Sequence, residues 1–295
     1  MLRALVFATQ GLVLGLGLCQ APALRASSYD FKLITRVPEV MASDTASGSS
    51  RTEDPWTRRA VTADGRYVVF VSDATNLVPG QTASRRIPNV YVRDRVAGTT
   101  WLASRSHVDP SSGGNDASSG ATVSDDGRWV AFVSLATDLI DGQVDTNGET
   151  DVYVFDRQTG STSLVSRSAS DPQRAANGQS LDPSISANGE RIAFASTATD
   201  LLAGLSGPTA SNIYSFEIGS ATLTLTTHAA GTPNLRADQH SAEPALSANG
   251  RWLAFISDSR DLIAGLIDPT GGVGFLRNVY LADLDSGTVE LVSHQ

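Results

Sequence analysis

Four copies of one short pattern, set at a nearly constant period, constrain this chain more than anything else in it. Val61-Thr62-Ala63-Asp64-Gly65-Arg66 returns as Val123-Ser124-Asp125-Asp126-Gly127-Arg128, as Ile185-Ser186-Ala187-Asn188-Gly189-Glu190 and as Leu246-Ser247-Ala248-Asn249-Gly250-Arg251. The glycines lie 62, 62 and 61 residues apart. Self-similarity at such a period marks a repeat architecture, in which each unit buries its apolar faces against its neighbours. Every copy carries Asp-Gly or Asn-Gly, a pair whose tolerance of positive φ favours a tight hairpin.

The residues after each turn show what kind of unit repeats. Phe70, Phe132, Phe194 and Phe255 follow their glycines by five residues, with Ser72, Ser134, Ser196 and Ser257 two places further on. The segments that hold them, 67–71, 129–133, 192–195 and 252–256, are apolar almost throughout. A strand without alternation is buried on both faces. Third strands are predicted at 89–92, 151–154, 212–214 and 278–281. Turns at Gly98, Gly160, Gly219 and Gly287 lead to fourth strands at 100–104, 163–166, 221–226 and 288–293. Four short antiparallel strands held between two neighbours make one blade of an all-β propeller. The blades are predicted at 61–122, 123–184, 185–245 and 246–295, with 27–60 as an N-terminal strand and linker. The Ser- and Gly-rich segments between them, such as 111–120, read as flexible connectors along one rim.

The N-terminus differs from the rest. Met1-Leu2-Arg3 is followed by an apolar run over 4–18 and by small residues at Ala21, Ala23 and Ala26, the layout of a secretory signal peptide over 1–26. The run is short for a membrane span, so the mature chain is expected in the periplasm or outside the cell. Lipid attachment at Cys19 is the weaker reading, because Leu18 is bulky where a lipoprotein signal needs a small residue. Cys19 is the one cysteine, so cleavage leaves neither disulfide nor thiol nucleophile. A net charge of −9 argues against nucleic acid, whose phosphates call for clustered Lys and Arg.

Ring closure is the open point. The segment 30–36 reads as a fourth strand without its own first three, and four blades fall short of the six or more with which repeats of this type close. The propeller is therefore expected to be incomplete or open: either further blades belong after Gln295, or the blades associate with a second copy.

Ser-x-Asp/Asn-Gly-Arg, then Ala/Val-Phe-x-Ser, then Asp/Asn-Val/Ile-Tyr resembles the WD40-like propeller repeat of the periplasmic TolB family and its bacterial relatives. The same repeat is similar to that in the propeller domains of prolyl-oligopeptidase-type peptidases. The resemblance covers 61–295 and does not include the N-terminal α/β domain of TolB proteins. It implies the fold, and a scaffold of this kind hosts many functions.

Few residues offer chemistry. Asp145-Thr146-Asn147-Gly148-Glu149-Thr150-Asp151 sets oxygen-bearing side chains at alternate positions around a glycine, which makes Asp145, Asn147 and Asp151 candidate calcium ligands. The later bidentate Glu of an EF-hand has no counterpart, and a polar turn is the competing reading. Asn76, Asp138, Asp200 and Asp261 recur once per blade and are expected to shape loops, as short polar side chains do. His107, His228, His240 and His294 have no paired spacing for zinc. A Gly-x-Ser-x-Gly elbow is missing. Trp56 and Trp101 could line a sugar-binding rim, whereas Trp129 and Trp252 fall in second strands and are assigned to the core. No cofactor beyond a candidate calcium is indicated. The expected function is an exported, non-enzymatic module that binds a protein or cell-envelope component. Two alternatives are a gating or substrate-binding propeller fragment of a peptidase or other hydrolase, and a calcium-dependent carbohydrate binder.

Overall fold

The computed structural model describes residues 46–52, 59–82, 86–266 and 277–293. The signal peptide, the strand read at 30–36, Trp56 and His294 lie outside the described residues.

Among the described residues there are four four-stranded antiparallel sheets, each with its strands in sequential order, and one two-stranded hairpin. The first blade pairs Ser50–Arg51, Tyr67–Ser72, Asn89–Asp94 and Thr99–Leu102. The second uses Ser118–Val123, Trp129–Ser134, Asp151–Asp156 and Ser161–Leu164. Ser180–Ile185, Arg191–Ser196, Asn212–Glu217 and Thr222–Leu225 form the third. Ser241–Leu246, Trp252–Ser257, Asn278–Asp283 and Thr288–Leu291 form the fourth. The hairpin, Arg167–Ser168 with Asp171–Ala175, lies between the second and third blades. No strand pairing among the described residues joins the fourth blade back to the first.

The sheets begin earlier than the repeats counted from Val61, Val123, Ile185 and Leu246. The first strand of the second blade, Ser118–Val123, ends where the repeat begins, so sequence period and sheet are out of phase by one strand. The turn that follows is built as its residues dictate. Gly65, Gly127, Gly189 and Gly250 all take φ between 66° and 72°. Asp64 Oδ1 accepts hydrogen bonds from the Thr62 hydroxyl and the Arg66 N–H, closing the turn from within. A Cβ at Gly127 would run into the Tyr67 ring of the preceding blade, so glycine serves packing there as well as φ. The later turn of the third blade spans 218–221 and so includes Gly219, as expected, and its left-handed residue is Ala221, at φ 54°.

Within each blade the expected phenylalanine stacks on the tyrosine of the third strand. Phe70–Tyr91, Phe132–Tyr153, Phe194–Tyr214 and Phe255–Tyr280 have ring centroids 5.5, 5.8, 5.8 and 5.6 Å apart. Such pairs contribute about 0.5–1.5 kcal/mol beyond the area they bury. The core lies in the seams. Val69, Val71, Val90 and Val92 of the first blade pack against Phe132, Tyr153, Phe155 and Leu164 of the second. The second and third blades meet in the same way, as do the third and fourth. This is why the second and third strands are apolar on both sides.

Candidate functional site

The recurrent polar residues serve the scaffold. Asn76 Oδ1 accepts from the Ser47 N–H at 2.8 Å, Asp138 from Asn115 at 2.9 Å, Asp200 from Asn177 at 2.8 Å and Asp261 from Asp238 at 3.2 Å. The backbone carbonyls of Asp138, Asp200 and Asp261 accept from the N–H groups of His107, Ala169 and Ala230. Each of these residues thus clasps two segments: its side chain holds the approach to its own blade's first strand, and its carbonyl holds the chain leaving the blade before. The segments between blades are therefore tied down in a repeated pattern, which corrects their reading as free connectors. The serines are equally structural. Ser134, Ser196 and Ser257 share hydroxyl hydrogen bonds with Ser118, Ser180 and Ser241 at 2.8, 2.9 and 2.9 Å, all buried.

Three blades carry a second device. Asp94, Asp156 and Asp283 are each gripped by two guanidinium hydrogen bonds, from Arg66, Arg128 and Arg251 respectively. The Arg66 grip, with two backbone N–H groups beside it, pulls the Asp94 carboxyl down to about 2. The third blade has Glu190 and Glu217 at these positions and so lacks the pair.

The calcium candidates sit in a loop knitted by the same oxygens that a cation would need. Asp145 Oδ1 accepts from the N–H of Asn147 at 3.0 Å and of Gly148 at 3.4 Å. Asn147 donates through Nδ2 to the Ala176 carbonyl at 2.5 Å and accepts at Oδ1 from Glu149 N–H at 2.6 Å. Asp151 opens the third strand and is fully buried, where its Oδ1 accepts from the Ser166 hydroxyl at 2.7 Å. Loss of hydration pushes its carboxyl up to about 7, with Asp145 and Asp200 adding to the rise against the Ser166 hydrogen bond. No cluster of three or more His, Cys, Asp or Glu side chains placed to hold a metal occurs among the described residues. Trp252 is a correction: it is 37% exposed, with the Arg251 guanidinium 4.9 Å above its ring, and not in the core.

A cavity opens on the rim formed by the long segments, and comparing the seams explains its position. Gly114, Ala176 and Ala237 occupy one equivalent position, since each donates its N–H to the carbonyl of Ser104, Ser166 or Thr227. The residue before is Gly113, Ala175 or Arg236. Arg236 is 4% exposed and fills its seam, donating to the carbonyls of Ser206, Ala198 and Gly207 at 3.3, 3.4 and 2.7 Å. At the first seam Gly113 has no such side chain. A space of about 520 Å³ remains there, bordered by Asn89, Val108, Asp109, Ser112, Gly114 and Asp138 among others. A Cβ on Gly114 would lie 2.7 Å from Leu139 Cδ2 and 2.8 Å from Ala136 Cβ, so the floor is fixed by packing. The Ser111 hydroxyl, with Thr82 and a backbone N–H, holds the Asp109 carboxyl below its usual range and thus ionised. The signal for this cavity was the contrast of Gly113-Gly114 with Ala175-Ala176 and Arg236-Ala237, legible only once hydrogen bonds align segments of unequal sequence.

No protein-family model matches the chain, and no curated protein matches it. Solved structures do. TolB from Acinetobacter baumannii is 17% identical over 79% of this chain and 42% of its own, with a TM-score of 0.39. A putative TolB from Agrobacterium tumefaciens is 17% identical over 80% of this chain and 60% of its own, with a TM-score of 0.41. The propeller domain of the trilobed protease from Pyrococcus furiosus, described as having an open velcro topology, is 9% identical, with a TM-score of 0.44 over 78% of this chain and 55% of its own. The chain spans less than two thirds of the length of each. The solved structures it is similar to thus include TolB and another β-propeller protein. The chain itself is all-β, with four-stranded antiparallel sheets packed face to face as blades.

Proposed function

We propose that this chain is an exported, non-enzymatic propeller module that binds a protein or cell-envelope component through the rim where its long segments meet. The observation that carries the reading is the rim cavity at the first seam. It lies where segments on a rigid scaffold converge, the usual place for recognition in folds of this kind. The recurrent Ser, Asp and Arg side chains are engaged within their own blades, which leaves the non-recurrent rim positions to supply specificity. Export rests on the layout of residues 1–26. No helix among the described residues is long and apolar enough to cross a membrane.

The test uses two exposed positions at opposite ends of a blade. Val108 borders the cavity and is 77% exposed, while Val96, 78% exposed, lies in the turn between third and fourth strands. A photo-crosslinking residue at either position costs little stability. Exposed to envelope extract, the protein is expected to give discrete adducts from position 108 and none from 96. Equal yields from both would remove the rim as the binding face.

A further inference from the structure

The seam between the third and fourth blades departs from the other two at one place, and its departures share a chemical sense. Arg105, just past the first blade's last strand, reaches across to the second blade. Its guanidinium lies 5.4 Å over the Phe155 ring and donates to the Gly160 carbonyl. Arg167 repeats this at the next seam, 5.6 Å over Phe216 and donating to the Ala221 carbonyl at 3.0 Å. At the third seam the arginine position is His228 and the ring position is Ala282. The facing surface of the third blade changes too. Where the second blade presents Val154 and Val165, the third presents Ser215 and Thr226. Thr226 is 7% exposed, and its hydroxyl has no hydrogen-bond partner. Leaving a buried hydroxyl unpaired is costly unless something is meant to meet it.

Whereas at the second seam a space of about 240 Å³ lies beside Arg167, here these changes together leave a cavity of about 140 Å³ in place of the stacked arginine. That is several times the ~30 Å³ share of one water molecule. Glu217, Thr222 and Gly287 lie exposed at its border, while Thr226 and Ala282 are buried in it.

The charges around the space are uneven. Arg191 is neutralised by Asp285 at 2.9 Å and donates to the Gly250 carbonyl, and Asp283 is held by Arg251. Glu217 has lost the arginine that grips its counterparts, because that residue is Glu190 here. It accepts the Ser220 hydroxyl at 2.6 Å and pairs with no cation among the described residues. His228 Nδ1 lies 3.0 Å from the Ala229 carbonyl, to which it donates. The cavity therefore gathers a carboxylate, a ring nitrogen and hydroxyl oxygens where the other seams hold an arginine.

We propose that this cavity binds the guanidinium of an arginine side chain presented by another polypeptide, which takes the space that Arg105 and Arg167 fill elsewhere. A guanidinium supplies several donors in a plane and a permanent charge, matching a set of acceptors beside one unpaired carboxylate. The site shares no bordering residue with the rim cavity, so either can fail without the other.

The test is a titration of the isotope-labelled full chain with acetyl-Gly-Arg-Gly-amide, alongside versions carrying citrulline or lysine. Saturable shifts are expected at His228, Ala282 and Gly287 with the arginine peptide, and binding at least about tenfold weaker with citrulline. Glu217→Gln, at an exposed position, should weaken the arginine peptide by a similar factor while leaving the melting curve in place. His228→Arg combined with Ala282→Phe restores the arginine–ring stack of the other seams and should abolish binding. An arginine peptide that does not saturate, a citrulline peptide that binds equally well, or indifference to Glu217→Gln would each overturn the proposal. Free arginine binding as tightly as the peptide would overturn the assignment to a polypeptide.

Discussion

Asp151 stands where Asn89, Asn212 and Asn278 stand in the other blades, and every one of these residues accepts a hydroxyl from the far end of its blade. The amides of Asn89 and Asn212 also donate, at 2.9 Å, to the carbonyls of Ile87 and Ala210. Asp151 Oδ2 is buried without a partner. A carboxyl can imitate the amide only by keeping a proton, and burial that lifts it from 3.8 to about 7 favours that form. Below pH 3.8 both the folded and unfolded chains hold the proton, and the stabilisation is complete. Between 3.8 and about 7 the unfolded chain releases its proton first, so stability declines as pH rises and then levels off. Asp151→Asn should therefore match the parent near pH 4 and exceed it by a few kcal/mol at pH 8, at about 1.4 kcal/mol per pKa unit. Urea midpoints at several pH values decide it, and parallel curves would refute it. The spacing of Asp145, Asn147 and Asp151 was legible in the sequence. The burial of Asp151 was not, because it depends on the serine that closes the strand pair from fifteen residues away.

At the scale of the element, second and third strands were readable because burial on both faces leaves unbroken apolar runs. First strands were not. Those of the second, third and fourth blades carry a bulge whose left-handed residue is Gly120, Asp182 or Glu243, the last two at φ 56°, and Pro183 and Pro244 follow directly on these two. A proline beside a left-handed residue breaks the strand pattern that sequence reasoning looks for. Ala221 hid for a similar reason: it takes a glycine's conformation without being one. The arginine–aspartate grip is an element-level device with a measurable signature. Removing Arg66 leaves Asp94, whose side chain is 2% exposed, without its cation. Arg66→Ala should lower stability at neutral pH, by an amount limited by the exposure of Arg66 itself. The Asp94 carboxyl is lowered to about 2, so this contribution is present above 3.8 and fades as pH falls toward 2. Acid titration of the variant's unfolding free energy checks this, and a penalty that persists at pH 2 would contradict it.

At the scale of the molecule, the described blades pack against their neighbours in chain order, so stability is a sum over blades and seams. The three seams are unequal. The third contains the cavity beside His228 and Ala282, its leading blade has no arginine–aspartate grip, and the outer face beyond it leaves Val279 40% exposed. Amide hydrogen exchange should therefore be faster in 280–291 than in 153–164, where the same strands are packed between two neighbouring blades. Uniform protection across both would show that the molecule opens as one unit.

The clasp formed by Asp138, Asp200 and Asp261 bears on how such a molecule can grow. Its grip on the preceding blade is a backbone carbonyl, which any amino acid provides, while the discriminating side chain works only inwards on its own blade. A duplicated blade inserted at a joint would find the same handhold on either side. Gene duplication could lengthen the row one blade at a time without any new fastening having to evolve, leaving each extra copy free to diverge at its outer edge.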